Sequence, residues 1–344
     1  MKKLLHTPGS GQTTGSYVPL ARHVFCSVLF AVLLVAPAQA GTIYVTNEEP
    51  NANSPSASSV SMYSLTGAFL DDLVPTAPYV APDAIVVDSA LDVYVADAGG
   101  NRVVEFNSAG NQINVFNTDS SSGVSPAGLA IDPAGNVYVA SLDGVIQKIS
   151  AGTVTNIGTV AGTVRGITFD PYGGLLYITT QYPGDVYTLP TSGGSATLFA
   201  SNIGSGDLRG LVFGNGNLYV SDTNVAGKED EGAIYEFIGD SDSPTLFASG
   251  LEGPNYIAID SSGQLLVAEY YGNDVLEFSS DGIGLGAIVT GLDGPSGLAL
   301  DPSSQQQATP EPANWILAAL GGASLLFGRA IHRRMRIESR KPPL

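Results

Sequence analysis

The sequence predicts an all-β fold built from repeats of about 40 residues, and three observations support that prediction. An apolar run closed by Asp or Gly recurs six times, with 44, 38, 44, 46 and 41 residues between the closing positions. A second apolar run, usually opened by Tyr, also recurs six times. Glycine is abundant, with 42 residues, and only 13% of residues are charged, which is typical of short strands joined by tight turns.

The two runs of each repeat are predicted to be neighbouring antiparallel strands. A third strand follows most copies and a fourth often follows the third, so that each repeat holds four short strands, the pattern of a propeller blade. The first runs are residues 83–88, 128–132, 166–170, 210–214, 256–260 and 297–301. The second runs are residues 44–47, 94–97, 138–141, 177–180, 219–222 and 266–269.

The phase of the repeats predicts how the blades assemble. The repeat region starts on a second strand, at 41–47, and stops on a first strand, at 295–301. Pairing these two ends completes one blade and leaves no open sheet edge, whereas a linear solenoid would leave both partial repeats unpaired. We therefore predict a six-bladed β-propeller of four-stranded antiparallel blades over residues 41–302, closed by pairing of the N- and C-terminal partial blades.

One stretch carries a family resemblance. Residues 94–106, with the sequence Tyr-Val-Ala-Asp-Ala-Gly-Gly-Asn-Arg-Val-Val-Glu-Phe, resemble an NHL repeat. The chain is similar over most of 41–302 to the NHL family and its relatives, six-bladed propellers that include gluconolactonase-like and streptogramin-lyase-like proteins. The resemblance implies the fold but leaves function open, because such propellers include both enzymes and binding modules.

The first 40 residues are predicted to be a signal peptide. An apolar run at 24–35 follows basic residues, and Ala38-Gln39-Ala40 forms the small-x-small pattern that signal peptidase cleaves. Cleavage after Ala40 would export the rest of the chain. The alternative, an N-terminal membrane helix, is disfavoured by the short apolar core.

The last 35 residues are predicted to be a sorting signal. A polar linker at 303–309 leads to Pro310-Glu311-Pro312, then to an apolar transmembrane stretch at about 315–331 and a basic tail. This order resembles the PEP-CTERM signal of Gram-negative bacteria. The resemblance implies processing by an exosortase near Pro310, transient anchoring in the inner membrane, and a final place at the cell surface or outside the cell. A plain membrane anchor is the alternative.

The composition of residues 41–309 excludes several functions. This region holds 30 acidic and 5 basic residues, a net charge of −25, which excludes nucleic acid as a partner. The three histidines (His6, His23, His332) and the single cysteine (Cys26) all lie outside it. Histidine acid–base catalysis, cysteine nucleophiles and His/Cys zinc sites are therefore excluded there, as are the histidine-dependent activities of the streptogramin-lyase-like relatives. We assign no catalytic residue.

Two sets of positions should ring one mouth of the central channel, because the start of a first strand and the end of a second strand lie on the same face. We call them the pre-strand and post-strand positions. The pre-strand positions are Asp83, Ala127, Arg165, Arg209, Asn255 and Ser296. The post-strand positions are Asn47, Asp97, Ser141, Thr180, Asp222 and Glu269.

The pre-strand ring is predicted to bind a ligand. Arg165 and Arg209 would lie on adjacent blades and could capture the carboxylate of an acidic sugar or a peptide. Salt bridges with nearby acids of this acidic domain are the alternative role for both arginines. The ligand-binding candidates are Asp83, Arg165, Arg209 and Asn255.

A calcium site is a second prediction for the same mouth. The gluconolactonase-like relatives imply an ion held by oxygen ligands, and the residues that could supply them here are Asp97, Asp222, Asn255 and Glu269. The alternative for strand-end acids is capping of backbone amides in the following turn. That role is favoured for the recurring Asp88, Asp132, Asp170, Asp260 and Asp301.

The widely scattered acids favour a non-catalytic module that binds a polysaccharide or protein ligand in the extracellular or exopolysaccharide layer. A calcium-dependent, gluconolactonase-like hydrolase is the alternative, and the sequence does not decide between them.

Overall fold

The computed structural model describes residues 41–47, 59–74, 81–118, 125–223, 232–239 and 241–305. These residues form 24 β-strands and no helix. In chain order the strands are β1 (Thr42–Asn47), β2 (Ser59–Ser64), β3 (Phe69–Val74), β4 (Pro82–Val87), β5 (Val93–Asp97), β6 (Arg102–Phe106), β7 (Gln112–Asn117), β8 (Pro126–Ile131), β9 (Val137–Ser141), β10 (Val145–Ser150), β11 (Thr153–Thr159), β12 (Thr163–Phe169), β13 (Leu175–Gln181), β14 (Val186–Pro190), β15 (Thr197–Ala200), β16 (Leu208–Gly214), β17 (Asn217–Asp222), β18 (Gly232–Ile238), β19 (Thr245–Leu251), β20 (Pro254–Ile259), β21 (Leu265–Glu269), β22 (Asp274–Phe278), β23 (Gly284–Thr290) and β24 (Pro295–Leu300).

The strands form six separate four-stranded antiparallel sheets. Blade 1 has the order β24-β1-β2-β3, and blades 2 to 6 each use four consecutive strands starting at β4, β8, β12, β16 and β20. The first strand of every sheet packs against its counterparts on both sides, in the cyclic order β24-β4-β8-β12-β16-β20. The predicted six-bladed β-propeller is therefore confirmed.

The ring closes where the sequence phase predicts. Strand β24 pairs antiparallel with β1, with Ile43 opposite Leu300 and Tyr44 opposite Ala299. The Asp301 carboxylate accepts a hydrogen bond of 2.6 Å from the Thr42 amide, which ties the two chain ends further. The Gln305 side chain donates to the Leu300 carbonyl at 2.6 Å, so contacts with the propeller continue past the predicted boundary at 302.

Recurring aspartates cap the turns that follow the first strands. Asp88 accepts the amides of Ala90 and Asp92, both at 2.8 Å. Asp260 accepts those of Ser262 and Gln264 at 2.8 and 2.9 Å. Asp132, Asp170 and Asp301 make equivalent bonds. These five acids therefore have the turn-capping role that the sequence favoured.

The apolar core lies between neighbouring blades rather than within one. One cluster joins Tyr44 and Val60 of blade 1 to Val87, Val95 and Phe106 of blade 2. Inner strands also approach each other closely, because a Cβ on Gly166 would collide with the Arg209 carbonyl oxygen, and a Cβ on Gly297 with that of Asp83. Glycine at this position therefore allows the blades to meet around the axis.

Both predicted terminal signals lie outside the described residues. Within the part of the chain that the structure describes, no helix is long and apolar enough to cross a membrane.

Candidate functional site

The pre-strand and post-strand positions meet at one end of each blade. The start of β4 pairs with the end of β5 as Pro82 opposite Asp97, and the start of β20 pairs with the end of β21 as Pro254 opposite Glu269. The pairing shifts register just after these residues, and all six blades have such an irregularity. A bulge re-aims the side chains beside it, so it can turn pre-strand residues towards the channel.

The post-strand side chains do not line the mouth, because all six are buried. Asp97 is fully buried and pairs with Arg102, whose Nε lies 2.7 Å from Oδ2. Asp222 accepts the amide and the hydroxyl of Ser205 at 2.5 and 2.6 Å. These carboxylates hold the segment that leads into the inner strand of their own blade, which is a structural role.

The four calcium candidates are spread over three blades. Among the described residues, no group of three or more Asp, Glu, His or Cys side chains is close enough to hold one ion. Asp97, Asp222 and Glu269 are therefore not brought together, and the fourth candidate, Asn255, belongs to the pre-strand ring. The calcium prediction rests on the sequence alone.

The accessible polar side chains of the pre-strand ring are few. Ala127, Asn255 and Ser296 are buried, whereas Asp83, Arg165 and Arg209 are partly exposed. The mouth therefore presents two partly exposed arginines on adjacent blades and one acid, Asp83, further round the ring. That these residues form a ligand site at one end of the channel stays a prediction.

A polar network joins the two arginines. Arg165 Nε donates to Gln181 Oε1 at 2.7 Å, and Gln181 in turn donates to Asp207. Arg209 Nε lies 3.2 Å from the same Asp207 carboxylate. Gln181 and Asp207 were not among the predicted site residues. Their signal in the sequence is position, since Gln181 directly follows a post-strand residue and Asp207 lies two residues before Arg209.

Arg165 and Arg209 differ in their ionic partners. Among the described residues, no carboxylate lies within 4 Å of the Arg165 guanidinium, whereas Arg209 is paired with Asp207. Burial, and next the positive charge of Arg209, lower the pKa of Arg165 below its usual range, while Asp83 opposes that shift. A half-buried guanidinium beside a second one is an environment that an anion would stabilise.

Tyr256 crosses the channel at this mouth. It lies on blade 6, yet its hydroxyl is shared between the carbonyl oxygens of Ala127 on blade 3, at 2.5 Å, and Arg165 on blade 4, at 3.1 Å. Burial, and next the Asp83 charge, raise the pKa of Tyr256 well above its usual value, so it stays a neutral donor. The side chain therefore reaches from blade 6 across to blades 3 and 4, and the charges of both arginines act on it.

Sequence reasoning missed Tyr256, although the repeat contains a signal for it. The residue after each pre-strand position is Ala84, Gly128, Gly166, Gly210 or Gly297 in five blades and Tyr256 in the sixth. A large aromatic residue at a position kept small elsewhere in the ring indicates a special role there.

A second tyrosine marks the outer edge of the mouth. Tyr182 directly follows Gln181 and is 66% exposed. The charge of Asp207 is the largest cause that raises the pKa of Tyr182, and Arg209 opposes it, which places the phenol in the electrostatic field of the arginine network.

Blade 6 also carries an acidic pair. Glu269 lies directly opposite Asp274 across the β21–β22 hairpin, and its Oε1 accepts the Glu252 amide at 2.8 Å. Burial is the main cause that raises the pKa of Glu269 to about 7 and that of Asp274 to about 6. The pair therefore holds a proton close to neutral pH.

Comparison with known proteins shows the fold alone. No family model and no curated protein matches this chain. Solved structures do match: a chain of a nidogen–laminin complex has 16% identity and a TM-score of 0.62, covering 76% of this chain and 99% of its own. Virginiamycin B lyase from Staphylococcus aureus has 18% identity and a TM-score of 0.53, covering 72% and 80%. A protein of unknown function from Bacteroides caccae has 12% identity and a TM-score of 0.58, covering 76% and 99%.

These neighbours include a lyase and a chain from a binding complex, so the propeller fold is compatible with an enzyme or with a binding module. The finer resemblance to the NHL family stays a prediction.

Proposed function

We propose that this protein is an exported, non-catalytic binding module that holds an acidic ligand at the channel mouth, through Arg165 and Arg209. The observation that carries the proposal is Arg165. Its guanidinium is half-buried and has no carboxylate within 4 Å among the described residues. Asp83 and Asp207 balance this charge only from beyond 4 Å. Because desolvating a charge without a close partner is unfavourable, an anionic ligand would supply a close counterion.

The charge distribution supports the same ligand class. Residues 41–309 contain 5 basic residues against 30 acidic ones, and two of the five form this arginine pair. The remaining surface of such an acidic domain would repel an anion, so attraction is confined to the mouth. Tyr256 reaches across to blades 3 and 4, so a ligand is expected to place one group at this mouth rather than to pass through the ring.

Export and surface display complete the proposal. The support is the pair of terminal segments: the signal-peptidase pattern ending at Ala40, and the Pro310-Glu311-Pro312 motif with its apolar stretch and basic tail. Signal peptidase and an exosortase would act on these segments. The mature module would then meet polysaccharide or protein ligands outside the cell.

The test is binding of the full-length protein to acidic oligomers, with oligogalacturonate and oligoglutamate as probes. Arg165→Ala and Arg209→Ala are each expected to weaken binding about tenfold or more, because a hydrogen-bonded charge contributes about 1.5–3 kcal/mol and 1.4 kcal/mol is tenfold. Lys148→Ala, which removes a positive charge from β10, should leave affinity unchanged. Equal affinity in the wild type and both arginine variants would contradict the proposal.

The alternative, a calcium-dependent hydrolase, makes a different prediction. Lactone hydrolysis by the full-length protein that depends on added calcium, and that is lost in Glu269→Gln, would favour the enzyme over the binding module.

A further inference from the structure

Tyr182 has a backbone conformation that tyrosine adopts rarely. Its φ is +37°, in the left-handed region, where the Cβ of an ordinary residue is crowded. Among the described non-glycine residues with positive φ, four of seven are asparagine and Tyr182 is the single aromatic one. It is also the most exposed large apolar or aromatic side chain in the described part of the chain. Burial in the core therefore does not explain why a tyrosine is present.

Neighbouring blades hold this conformation in place. The Tyr182 amide donates to the Gly206 carbonyl at 2.7 Å, and Gln181 forms a bridge with Asp207. The segment that enters blade 5 is thus linked to blade 4 at the strained residue and at the residue before it. A strained backbone conformation that neighbouring segments hold in place, at a residue whose side chain is exposed, is characteristic of a functional position.

Tyr182 directly follows a residue of the arginine network. The preceding residue, Gln181, accepts from Arg165, and Asp207 accepts from Arg209. The mouth therefore combines an exposed aromatic face with two guanidinium groups.

Asn255 adds an acceptor to this mouth. It is 5% exposed, lies beside Arg209 in the pre-strand ring, and its Oδ1 has no hydrogen-bond partner among the described residues. A buried acceptor without a partner is costly, and a ligand hydroxyl would satisfy it once the Asn255 side chain rotates towards the mouth.

We propose that the ligand is an acidic sugar, a uronate unit of an oligosaccharide, with its carboxylate on Arg165 and Arg209 and the C–H face of its ring on Tyr182. This rests on the proposed function and names its ligand class. A uronate supplies a carboxylate, neighbouring hydroxyl donors for Asn255, and a rigid apolar ring face comparable in size to a tyrosine ring. A carboxylate on a flexible peptide side chain has no such face to place on Tyr182.

The experiment compares three probes on the full-length protein: oligogalacturonate, a neutral cello-oligosaccharide of equal length, and oligoglutamate of equal charge. Tyr182→Ala is expected to weaken oligogalacturonate binding about fivefold, the effect of losing one aromatic contact, and to leave oligoglutamate binding unchanged. Tyr182→Phe should retain affinity, since the ring face remains. Tyr172→Ala removes a tyrosine that is 49% exposed in the turn between β12 and β13, at the other end of the blade, and should have no effect.

Tyr182→Gly separates recognition from folding. Glycine adopts positive φ without crowding, so this variant should have a melting temperature no lower than that of the wild type while losing the same fivefold affinity. Unchanged oligogalacturonate affinity in Tyr182→Gly and Tyr182→Ala would overturn the inference, as would oligoglutamate binding as tightly as oligogalacturonate. Those results, with the arginine variants still impaired, would leave the proposed function intact. If the arginine variants bind oligogalacturonate as tightly as the wild type, both the proposed function and this inference are contradicted.

Discussion

Blades 2 and 6 use the same position of the propeller in opposite ways. In both, a buried acid ends the second strand and accepts an amide from the segment entering the blade: Asp97 from Ala81 at 3.5 Å, and Glu269 from Glu252 at 2.8 Å. The residue directly opposite on the third strand differs. It is Arg102 in blade 2 and Asp274 in blade 6.

The difference shows which part of the arrangement the fold requires. A carboxyl group at the strand end holds the entering segment in both blades, whereas its cross-strand partner varies. A cation opposite the acid gives an ion pair, as in blade 2. A second acid gives a pair that shares a proton, and that makes blade 6 sensitive to pH.

The largest expected effect is in blade 2. Arg102→Ala leaves the Asp97 carboxylate buried without its counterion. The free energy of unfolding should fall by about 2–3 kcal/mol, less than for a fully buried pair because the Arg102 side chain is 30% exposed. Urea unfolding at pH 7.5 measures it. Lys148→Ala is the control, because it removes only a cation–π contact, in which the ammonium lies 5.3 Å from the Tyr138 ring, and should change stability by less than about 1 kcal/mol. A loss in Arg102→Ala as small as that of the control would mean that the ion pair does not stabilise blade 2.

The pH dependence of blade 6 is the next effect. The pKa of Glu269 is about 7 in the folded protein, above its ordinary value of 4.5, so the folded state retains a proton that the unfolded state loses. Stability from this group is present below about pH 4.5 and is lost as pH rises through about 7, by about 2 kcal/mol. Urea unfolding of the wild type between pH 4.5 and 8 should show this loss, and Glu269→Gln should reduce it, leaving the part that comes from Asp274, whose pKa burial raises to about 6.

Asp281→Asn is the matched control for that experiment, because it removes one negative charge from an exposed turn. It should keep the wild-type pH dependence. Identical profiles for the wild type and Glu269→Gln would contradict the assignment of the proton to blade 6.

The smallest expected effect comes from giving blade 6 the acid–arginine pair of blade 2. Asp274→Arg places a cation opposite Glu269, as Arg102 is opposite Asp97. It should increase the free energy of unfolding at pH 8 by about 1 kcal/mol and remove the stability loss between pH 4.5 and 8. Denaturation of this variant beside the wild type measures both changes. Lower stability at pH 8 would show that the surroundings of blade 6 do not accept an ion pair.

The fold could be predicted from the sequence because its determinants are local and repeated. The phase of the first and second strands predicted the pairing of β24 with β1, and Asp followed by a turn predicted the caps at Asp88 and Asp260. These patterns recur in enough copies for the period to be read without homologues.

The site could be predicted only in part. Strand direction placed Arg165 and Arg209 at one mouth, but their polar network depends on Gln181 and Asp207, whose contacts cross between blades 4 and 5. The post-strand acids are buried because their carboxylates accept hydrogen bonds from backbone amides of the entering segments. No sequence pattern identifies those amides. The bulges add to this, because they break the two-residue alternation on which predictions of strand faces depend.

The most direct test of the account follows the arginine side-chain Nε–H signals in a ¹⁵N NMR spectrum of the full-length protein during titration with oligogalacturonate. Residues 41–305 contain three arginines, and Arg102, held by Asp97, serves as an internal control. The full chain contains nine arginines, and lysine variants of Arg102, Arg165 and Arg209 assign these three signals among them. The account predicts saturable shifts of Arg165 and Arg209 while the Arg102 signal stays in place. Equal shifts of all three signals, or no shift of the Arg165 and Arg209 signals, would contradict it.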